Sequence, residues 1–521
     1  MSWRLRRVWL CGIASLYAYQ LVGKGIFPLR GVKTSLEFYN PPFFIYLISM
    51  PYGLSRLPSV AVGFLQLLQI GALAGLCWVL WRGRWRWGAL VVAVFGALTP
   101  GPFWLMARLW GHAVIPVFSL LCFLCVYEMW RRSRCTWAAL VLPPAIAAAQ
   151  QCHFSGALLL PMAALALLLL RVRVAWRSLG AGVTLACAMY IPYIVHLRQT
   201  GFADARVIAD LLAAKTGPGW NPVPMWRAAA YSFFDFGTNT ALQQHFETLR
   251  QGLHFAYLSP ILWIAVLRVF QVWRQFLRSN EPPPAGCDEA PSRCVGAFLL
   301  LAIIWCVVPL ICFSVPRVEL VPAYWLVALP GPWVLLASLA PADGRRSNHV
   351  PGQNALSVRW LRGVMTAAFA GLLVAAAVSS LVYHVRYVRL MRNPDPAVVV
   401  YPPYRDQRDA VWFICDHSRG LRVRLTQEDR TEAGGVDYQI LYLIAAREGN
   451  ALRFSPDSPA PPRIHYVLHN RSRPLPRVIA TSRTPWERRR FGLLDVYWLD
   501  LEGIPSREPD PSHQPPQKSH G

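Results

Sequence analysis

The chain has 521 residues, of which 55% are hydrophobic and 15% charged, and its mean hydropathy is +0.32. Soluble globular domains carry about 25% charged residues, so the composition excludes an ordinary soluble protein. A net charge of +25 can signal nucleic acid, but here the arginines form short clusters at the ends of apolar runs, where they read as cytoplasmic membrane anchors, and nucleic acid is set aside as a partner.

About 20 apolar residues cross a bilayer. In chain order the runs that read as spanning helices are Val8–Val22, Ser59–Trp81, Trp87–Ala107, His112–Tyr127, a pair within Thr136–Leu170, then Ser178–Val195, Phe255–Leu267, Val295–Pro316, Leu320–Pro341 and Gly363–Tyr383, about eleven in all by that length rule. The runs at His112 and Phe255 are short. The arginine clusters are Arg4 to Arg7, Arg82 to Arg86, Arg131 to Arg134, Arg171 to Arg173, Arg268 to Arg278, and Arg345-Arg346. With the N-terminus in the cytoplasm and the spans alternating, every cluster falls on the cytoplasmic side. The outer side then receives Lys24–Pro58, Arg108–Gly111, the Gln150–Ser155 turn, the long Leu197–His254 loop, the Arg317–Glu319 link and everything after about Arg386. The basic N-terminus followed by an apolar run resembles a signal peptide, but no small-residue cleavage site stands near Gln20–Gly25, so a retained anchor is expected. The 12 cysteines show neither a disulfide framework nor a zinc spacing.

Thr136–Leu170 holds no Asp, Glu, Lys or Arg and is too long for one crossing. Its middle reads Gln150-Gln151-Cys152-His153-Phe154-Ser155-Gly156, with Pro143-Pro144 before and Pro161 after. Two helices meeting at a polar hairpin on the membrane surface are expected. Polar groups there are costly unless buried in protein or facing a watery cavity, which makes the hairpin a candidate site lining.

The membrane region is expected to occupy residues 1–387, with outer loops 23–58 and 197–254. A small α/β extracytoplasmic domain is expected over 388–504, with strands at Ala410–Cys415, Leu421–Leu425, Val436–Ile444, Ile464–Leu468 and Leu494–Leu499. A disordered tail over 505–521 is expected from its Pro, Ser and His content.

The first outer loop reads Glu37-Phe38-Tyr39-Asn40-Pro41-Pro42, and Arg56-Leu57-Pro58-Ser59 opens the second span. The Pro pair forces an extended entry into a segment able to lie along the interface. Glu37 is the main acid of this loop. At the bilayer surface, partial desolvation can turn such a carboxylate into a useful base; the plainer alternative is a solvated loop residue.

These segments together resemble the GT-C class of membrane glycosyltransferases, especially bacterial relatives of dolichyl-phosphate-mannose–protein mannosyltransferases and of lipid A aminoarabinose transferases. The likeness lies in the acidic first loop running into Pro-Pro (Glu37 to Leu47) and the Arg56–Ser59 start of the second span. It continues in Ala107-Arg108-Leu109-Trp110-Gly111-His112 opening the fourth span, the Gln-x-His-x-Ser hairpin and Pro322-Ala323-Tyr324 heading a late span. The resemblance implies an all-α polytopic GT-C-like fold in the bacterial inner membrane. It also implies transfer of a sugar from a polyprenyl-phosphate carrier to a glycan, lipid or protein acceptor on the outer face, usually with inversion, with a first-loop acid, here Glu37, as catalytic base. No nucleotide-binding glycine motif is present, in keeping with a lipid-linked donor. Many relatives carry an Asp-Glu pair early in the loop and a His or Lys before Pro-Pro; this chain has Gly23-Lys24-Gly25 and Asn40 instead, and the acceptor class stays open.

Such a reaction needs a proton acceptor for the incoming hydroxyl and positive charge or donors for the departing phosphate. Arg suits phosphate through its paired hydrogen bonds. The outward-facing arginines are Arg56, Arg108 and Arg317; Arg108, near Trp110 and His112, reads equally as an interfacial anchor, and Arg317 with Glu319 as a surface ion pair. His153 reads as a phosphate donor or as a packed polar residue. His112 reads as a donor-phosphate or lipid contact, Tyr324 as lining the lipid groove, and Tyr39, Asn40, Arg56, Gln150 and Ser155 as lining the cavity. In the long loop Asp204, Asp210, Asp235, His245 and Glu247 are acceptor-binding candidates that the sequence does not rank. With no Asp-x-Asp pair, no metal is expected, and no cofactor. The competing reading is a transporter or flippase for lipid-linked saccharides, which would place polar groups deep within its spans.

Overall fold

The structure is a computed structural model. It describes residues 3–34, 38–83, 85–98, 109–213, 291–313 and 322–338, scattered positions from 367 to 392, and 404–418, 423–427, 443, 463–471 and most of 475–501. The chain divides into Met1–Arg392 and Asn393–Gly521.

The first unit is helical. In chain order it contains α1 (Trp3–Lys24), α2 (Phe43–Tyr52), α3 (Pro58–Arg82), α4 (Arg86–Leu98), α5 (Gly111–Arg131) and α6 (Thr136–Cys152). A 3-10 turn, Phe154–Leu158, leads to α7 (Leu159–Leu169), α8 (Trp176–Met189), α9 (Ile191–Gln199) and α10 (Ala203–Ala213). Helix α11 (Pro291–Phe313), a 3-10 segment (Pro322–Ala328) and α12 (Pro330–Ala337) follow. Among the described residues four helical stretches are long and apolar enough to cross a membrane: Pro58–Arg82, Gly111–Arg131, Trp176–Gln199 and Val295–Phe313. Their outward faces are apolar. Trp78 is 60% exposed, Trp176 74% and Leu168, on α7, 72%, an extent of apolar surface that water-soluble monomers rarely show.

Leu320–Pro341 is not the single helix expected. It is a 3-10 segment followed by an eight-residue helix, because Pro322, Pro330 and Pro332 remove backbone donors and crowd the preceding turn. The 3-10 segment is held from two sides. Ser119 Oγ on α5 donates to the Val327 carbonyl at 2.5 Å and accepts Trp305 Nε1 of α11 at 3.0 Å. The expected spans at Phe255–Leu267 and over most of Gly363–Tyr383 lie outside the described residues.

Helix α6 packs between α5 and α8. Gly182 of α8 lets the backbones approach, since a Cβ there would overlap the Leu140 carbonyl of α6. The arginine clusters at the ends of α5, α6 and α7 are brought together: Arg134 N donates to the Arg173 carbonyl at 3.1 Å, and buried Glu128 takes Arg131 at 2.9 Å and Arg132 at 3.0 Å. The segments expected outside meet at the other end of these helices, where the candidate site lies.

The second unit has α13 (Tyr404–His417), β1 (Val423–Gln427), β2 (Ile464–Asn470), the short α14 (Arg477–Ala480), β3 (Glu487–Phe491) and β4 (Leu494–Asp500). The sheet order is β1-β2-β4-β3, with β1 and β2 parallel and the other pairs antiparallel. Residues 410–415, expected as a strand, lie in helix α13. The correction has a plain cause: Asp406, Ala410, Val411, Ile414 and Cys415 are buried along one side, a helical repeat that a short apolar run conceals. Of the expected strand Val436–Ile444 only Leu443 is described, buried and with helical backbone, and the tail 505–521 lies outside the described residues. The β3–β4 turn is pinned by Asp406, whose Oδ2 accepts Leu493 N at 2.9 Å. Gly492 there has φ +54 and no room for a Cβ beside that carboxylate.

His465 on β2 pairs with Arg424 of β1 and its ring lies 5.3 Å from that of Trp486. Burial first and Arg424 second push its pKa down from 6.5 to about 4. The folded unit therefore keeps His465 neutral where the unfolded chain binds a proton. Its contribution to stability is intact above pH 6.5 and declines as pH falls from 6.5 towards 4, by at most about 1.4 kcal/mol per pH unit. Hydrogen exchange at the β2 and β4 amides should quicken between pH 7 and 5, after correction for intrinsic rates, and His465→Gln should flatten that dependence.

Candidate functional site

The hairpin forms because Cys152 ends α6 and His153 leaves the helix with φ −164 and ψ 145. The His153 side chain then caps the 3-10 turn: Nδ1 accepts Ser155 N at 3.2 Å and stands 3.0 Å from Ser155 Oγ. Accepting a backbone N–H assigns the lone pair to Nδ1 and, in the neutral ring, the proton to Nε2. The hairpin thus presents one N–H donor of fixed direction. Gly156 N closes the turn on the His153 carbonyl at 2.9 Å.

Against this turn come two other segments. Gly111, the first residue of α5, touches the Cys152 carbonyl so closely that a Cβ would overlap it. That contact sets His112 against His153, with ring centroids 3.6 Å apart and planes 34° apart. Tyr324, from the 3-10 segment, lies nearly parallel to His112 at 5.7 Å and stacks on His153 at 5.2 Å. Trp110 at 4.4 Å from His112 and Phe154 at 5.1 Å from Tyr324 complete a cluster of rings.

A second polar group joins the first loop to α9 and α10. Tyr39 lies under Arg30, whose guanidinium carbon is 3.9 Å from its ring centre, and meets the His196 ring edge-on at 5.9 Å. Tyr193 Oη is 2.9 Å from the Tyr39 carbonyl and 3.0 Å from Asp204 Oδ2. Between the two groups, the Tyr190 hydroxyl donates to Gln150 Oε1.

The structure therefore brings together His112, His153, Ser155 and Tyr324, and links them through Gln150 and Tyr190 to the α9 helix that Tyr39 contacts. Asn40 serves the first loop through its backbone: its carbonyl accepts Gly31 N at 2.6 Å and its N–H donates to Val32 at 3.1 Å. Arg56 is exposed, 5.6 Å from the Tyr19 ring, and is not placed with the imidazoles. Glu37, Arg108, Arg317, Asp235, His245 and Glu247 lie outside the described residues, and Asp210 is exposed on α10.

Sequence reasoning overlooked Arg30, Tyr193 and His196, and passed over Gln151 as one more polar residue of the hairpin. Gln151 is fully buried, and neither its amide nitrogen nor its oxygen has a hydrogen-bond partner among the described residues. A Gln-Gln pair at the end of an apolar helix was the available signal, since one of the two must face inward. Among the described residues no three His, Cys, Asp or Glu side chains gather as a metal site.

No family model matches the chain, and no curated protein matches it. Solved structures do. ArnT from Cupriavidus metallidurans bound to undecaprenyl phosphate aligns at 14% identity with a TM-score of 0.49, covering 94% of this chain and 93% of ArnT. The apo state of ArnT aligns at 16% identity and a TM-score of 0.48, over 95% and 96% of the two chains. The archaeal oligosaccharyltransferase AglB from Archaeoglobus fulgidus, in complex with an inhibitory peptide and a dolichol-phosphate, aligns at 13% identity and 0.38, over 84% of this chain and 59% of AglB. The chain is similar to these structures over most of its length.

The hairpin end offers an oriented imidazole N–H, a second imidazole, a phenol and a buried amide unpaired among the described residues. Such groups suit an anionic or polyhydroxylated ligand, and the Gln151 amide would gain a partner that the described residues do not supply.

Proposed function

We propose that the chain is an integral membrane glycosyltransferase that moves a sugar from a polyprenyl-phosphate carrier to an acceptor on the outer face of the bacterial cytoplasmic membrane. The acceptor hydroxyl attacks the anomeric carbon, its proton passes to Glu37, and the carbon–oxygen bond to the lipid phosphate breaks with inversion. The His153 N–H, with His112 and Tyr324 beside it, meets the phosphate as its charge grows; Arg108 and Arg317 are the further cationic groups assigned to it. Tyr39, Gln150 and Ser155 are assigned to the cavity lining, and residues 388–504 to the extracytoplasmic side of the membrane.

One observation carries this reading. The first loop, the start of α5, the α6–α7 hairpin, the α9–α10 turn and the segment after α11 are far apart in sequence, and all were assigned to one side by arginine placement. Contacts link them in one chain, Tyr39 to Tyr193, Tyr190 to Gln150, and His153 to His112 and Tyr324. Polar chemistry gathered at a bundle end fits surface transfer better than passage, which needs polar groups at mid-span.

The test is the protein reconstituted in vesicles with a labelled polyprenyl-phosphate sugar and a bacterial envelope extract as acceptor source. Time-dependent release of free polyprenyl phosphate, with label moving into the acceptor fraction, is expected. Recovery of intact donor on the opposite leaflet would instead establish transport.

A further inference from the structure

Helix α9 ends and α10 begins across a tight reversal in which Gly201 and Phe202 both have positive φ, +58 and +59. The reversal returns Asp204, in the first turn of α10, onto the last turn of α9. There its Oδ2 lies 3.6 Å from His196 Nε2 and 3.0 Å from Tyr193 Oη. Asp204 and His196 are each only 6% exposed. Burying a carboxylate costs several kcal/mol before pairing, roughly, and an apolar residue would fill such a place at less cost. The α10 N-terminus and the Tyr193 hydroxyl offset part of that cost.

What the buried group holds is the first loop. The one Tyr193 hydroxyl hydrogen is shared between Asp204 Oδ2 at 3.0 Å and the Tyr39 carbonyl at 2.9 Å, across 154 residues of sequence, and the Tyr39 ring touches both His196 and Arg30. Tyr39 belongs to a two-stranded ribbon. Its bonds are Gly31 N to the Asn40 carbonyl at 2.6 Å, Thr34 N to Phe38 at 2.7 Å, and the Lys33–Tyr39 bridge. An isolated ribbon of this size is at best marginally stable in water, and a one-residue slip would turn every side chain to the opposite face. Glu37 sits between Phe38 and Thr34 in sequence.

The geometry points to Asp204 as a positioning residue: with His196 and Tyr193 it anchors Tyr39 and so the pairing of Gly31–Thr34 with Phe38–Asn40, the segment that follows Glu37 in sequence. This rests on the reading of Glu37 as the base, but its first readout does not. In the full-length protein in nanodiscs, Asp204→Ala and Tyr193→Phe should each speed amide exchange at Gly31, Thr34 and Asn40 by roughly tenfold or more. Exchange at His153 and Gly156, in the hairpin, should stay as in the wild type and shows that the variants fold. Turnover should fall with the KM for donor little changed, and Asp204→Glu should restore part of it. Unchanged exchange at the three ribbon amides in folded Asp204→Ala would overturn the proposal whatever Tyr193→Phe does, as would a loosened ribbon with full turnover in a wild-type-active preparation. If exchange quickens but even the wild type transfers no sugar, the clamp stands and the glycosyltransferase reading falls.

Discussion

Replacing Glu37 by Gln should lower the rate of sugar transfer by about 10²–10⁴-fold, the range that loss of a general base costs, and leave binding of polyprenyl phosphate unchanged. Gln keeps the size and much of the hydrogen bonding of Glu but cannot take a proton. On the proposed mechanism the donor phosphate is held elsewhere, by the imidazole and phenol groups of the hairpin end, so the loss should fall on kcat and not on donor affinity. The pH profile separates this from a merely structural effect. A carboxylate base must be ionised, so wild-type kcat should decline on the acid side as Glu37 takes up its proton, and that limb should vanish in Glu37→Gln. Glu37→Asp, which keeps the charge on a shorter arm, should fall between the two. A transporter would tolerate Gln at this place. Turnover equal to wild type in a reconstituted assay would remove Glu37 as the base.

Much of the helical unit was legible in the sequence because length and hydropathy report directly on bilayer crossing. The helices over 58–82, 111–131, 176–199 and 291–313 fall where apolar runs bounded by arginine, proline or polar residues demanded them. The hairpin was legible for a related reason: a charge-free stretch too long for one span must turn, and Gln150 to Ser155 was its polar part. Where proline density was underweighted, the reading failed, as at Pro322, Pro330 and Pro332. In the second unit a short apolar run did not distinguish helix from strand, and α13 was read as β; strand β3 escaped because Glu487 to Arg490 are all charged and exposed, and its membership in the sheet comes from pairing with β4. The Asp204 group illustrates what a single sequence does not carry. Asp204 was visible as an acid in a polar loop, but its meaning depends on Tyr39, and nothing local to either residue announces the other.

The second large effect concerns stability at the hairpin. Gly111→Ala and Gly156→Ala should each destabilise the protein by about 1–3 kcal/mol or more, the cost of overpacking a rigid contact. In both cases the added methyl meets backbone, which cannot rotate aside as a side chain can. At Gly111 it would overlap the Cys152 carbonyl oxygen and stand 3.0 Å from the carbonyl carbon; at Gly156 it would overlap the Ala149 carbonyl and lie 2.7 Å from Gln150 N. Relief requires the start of α5 to move off the end of α6, or the 3-10 turn to move off α6. Either motion separates His112 from His153, whose rings now lie 3.6 Å apart, so transfer should fall together with thermal stability. The comparison comes from the same chain. Gly63 and Gly71 of α3 have nothing within 4 Å of an added Cβ, and Ala there should be neutral or stabilising by up to about 1 kcal/mol, since helix propensity alone changes. Thermal unfolding of the four variants in one detergent, followed by tryptophan fluorescence, should rank Gly111→Ala and Gly156→Ala clearly below wild type and the α3 pair at or above it. A Gly111→Ala protein as stable as wild type would mean that the α5 and α6 backbones are not in contact, and the stacked imidazoles would lose the packing that holds them together.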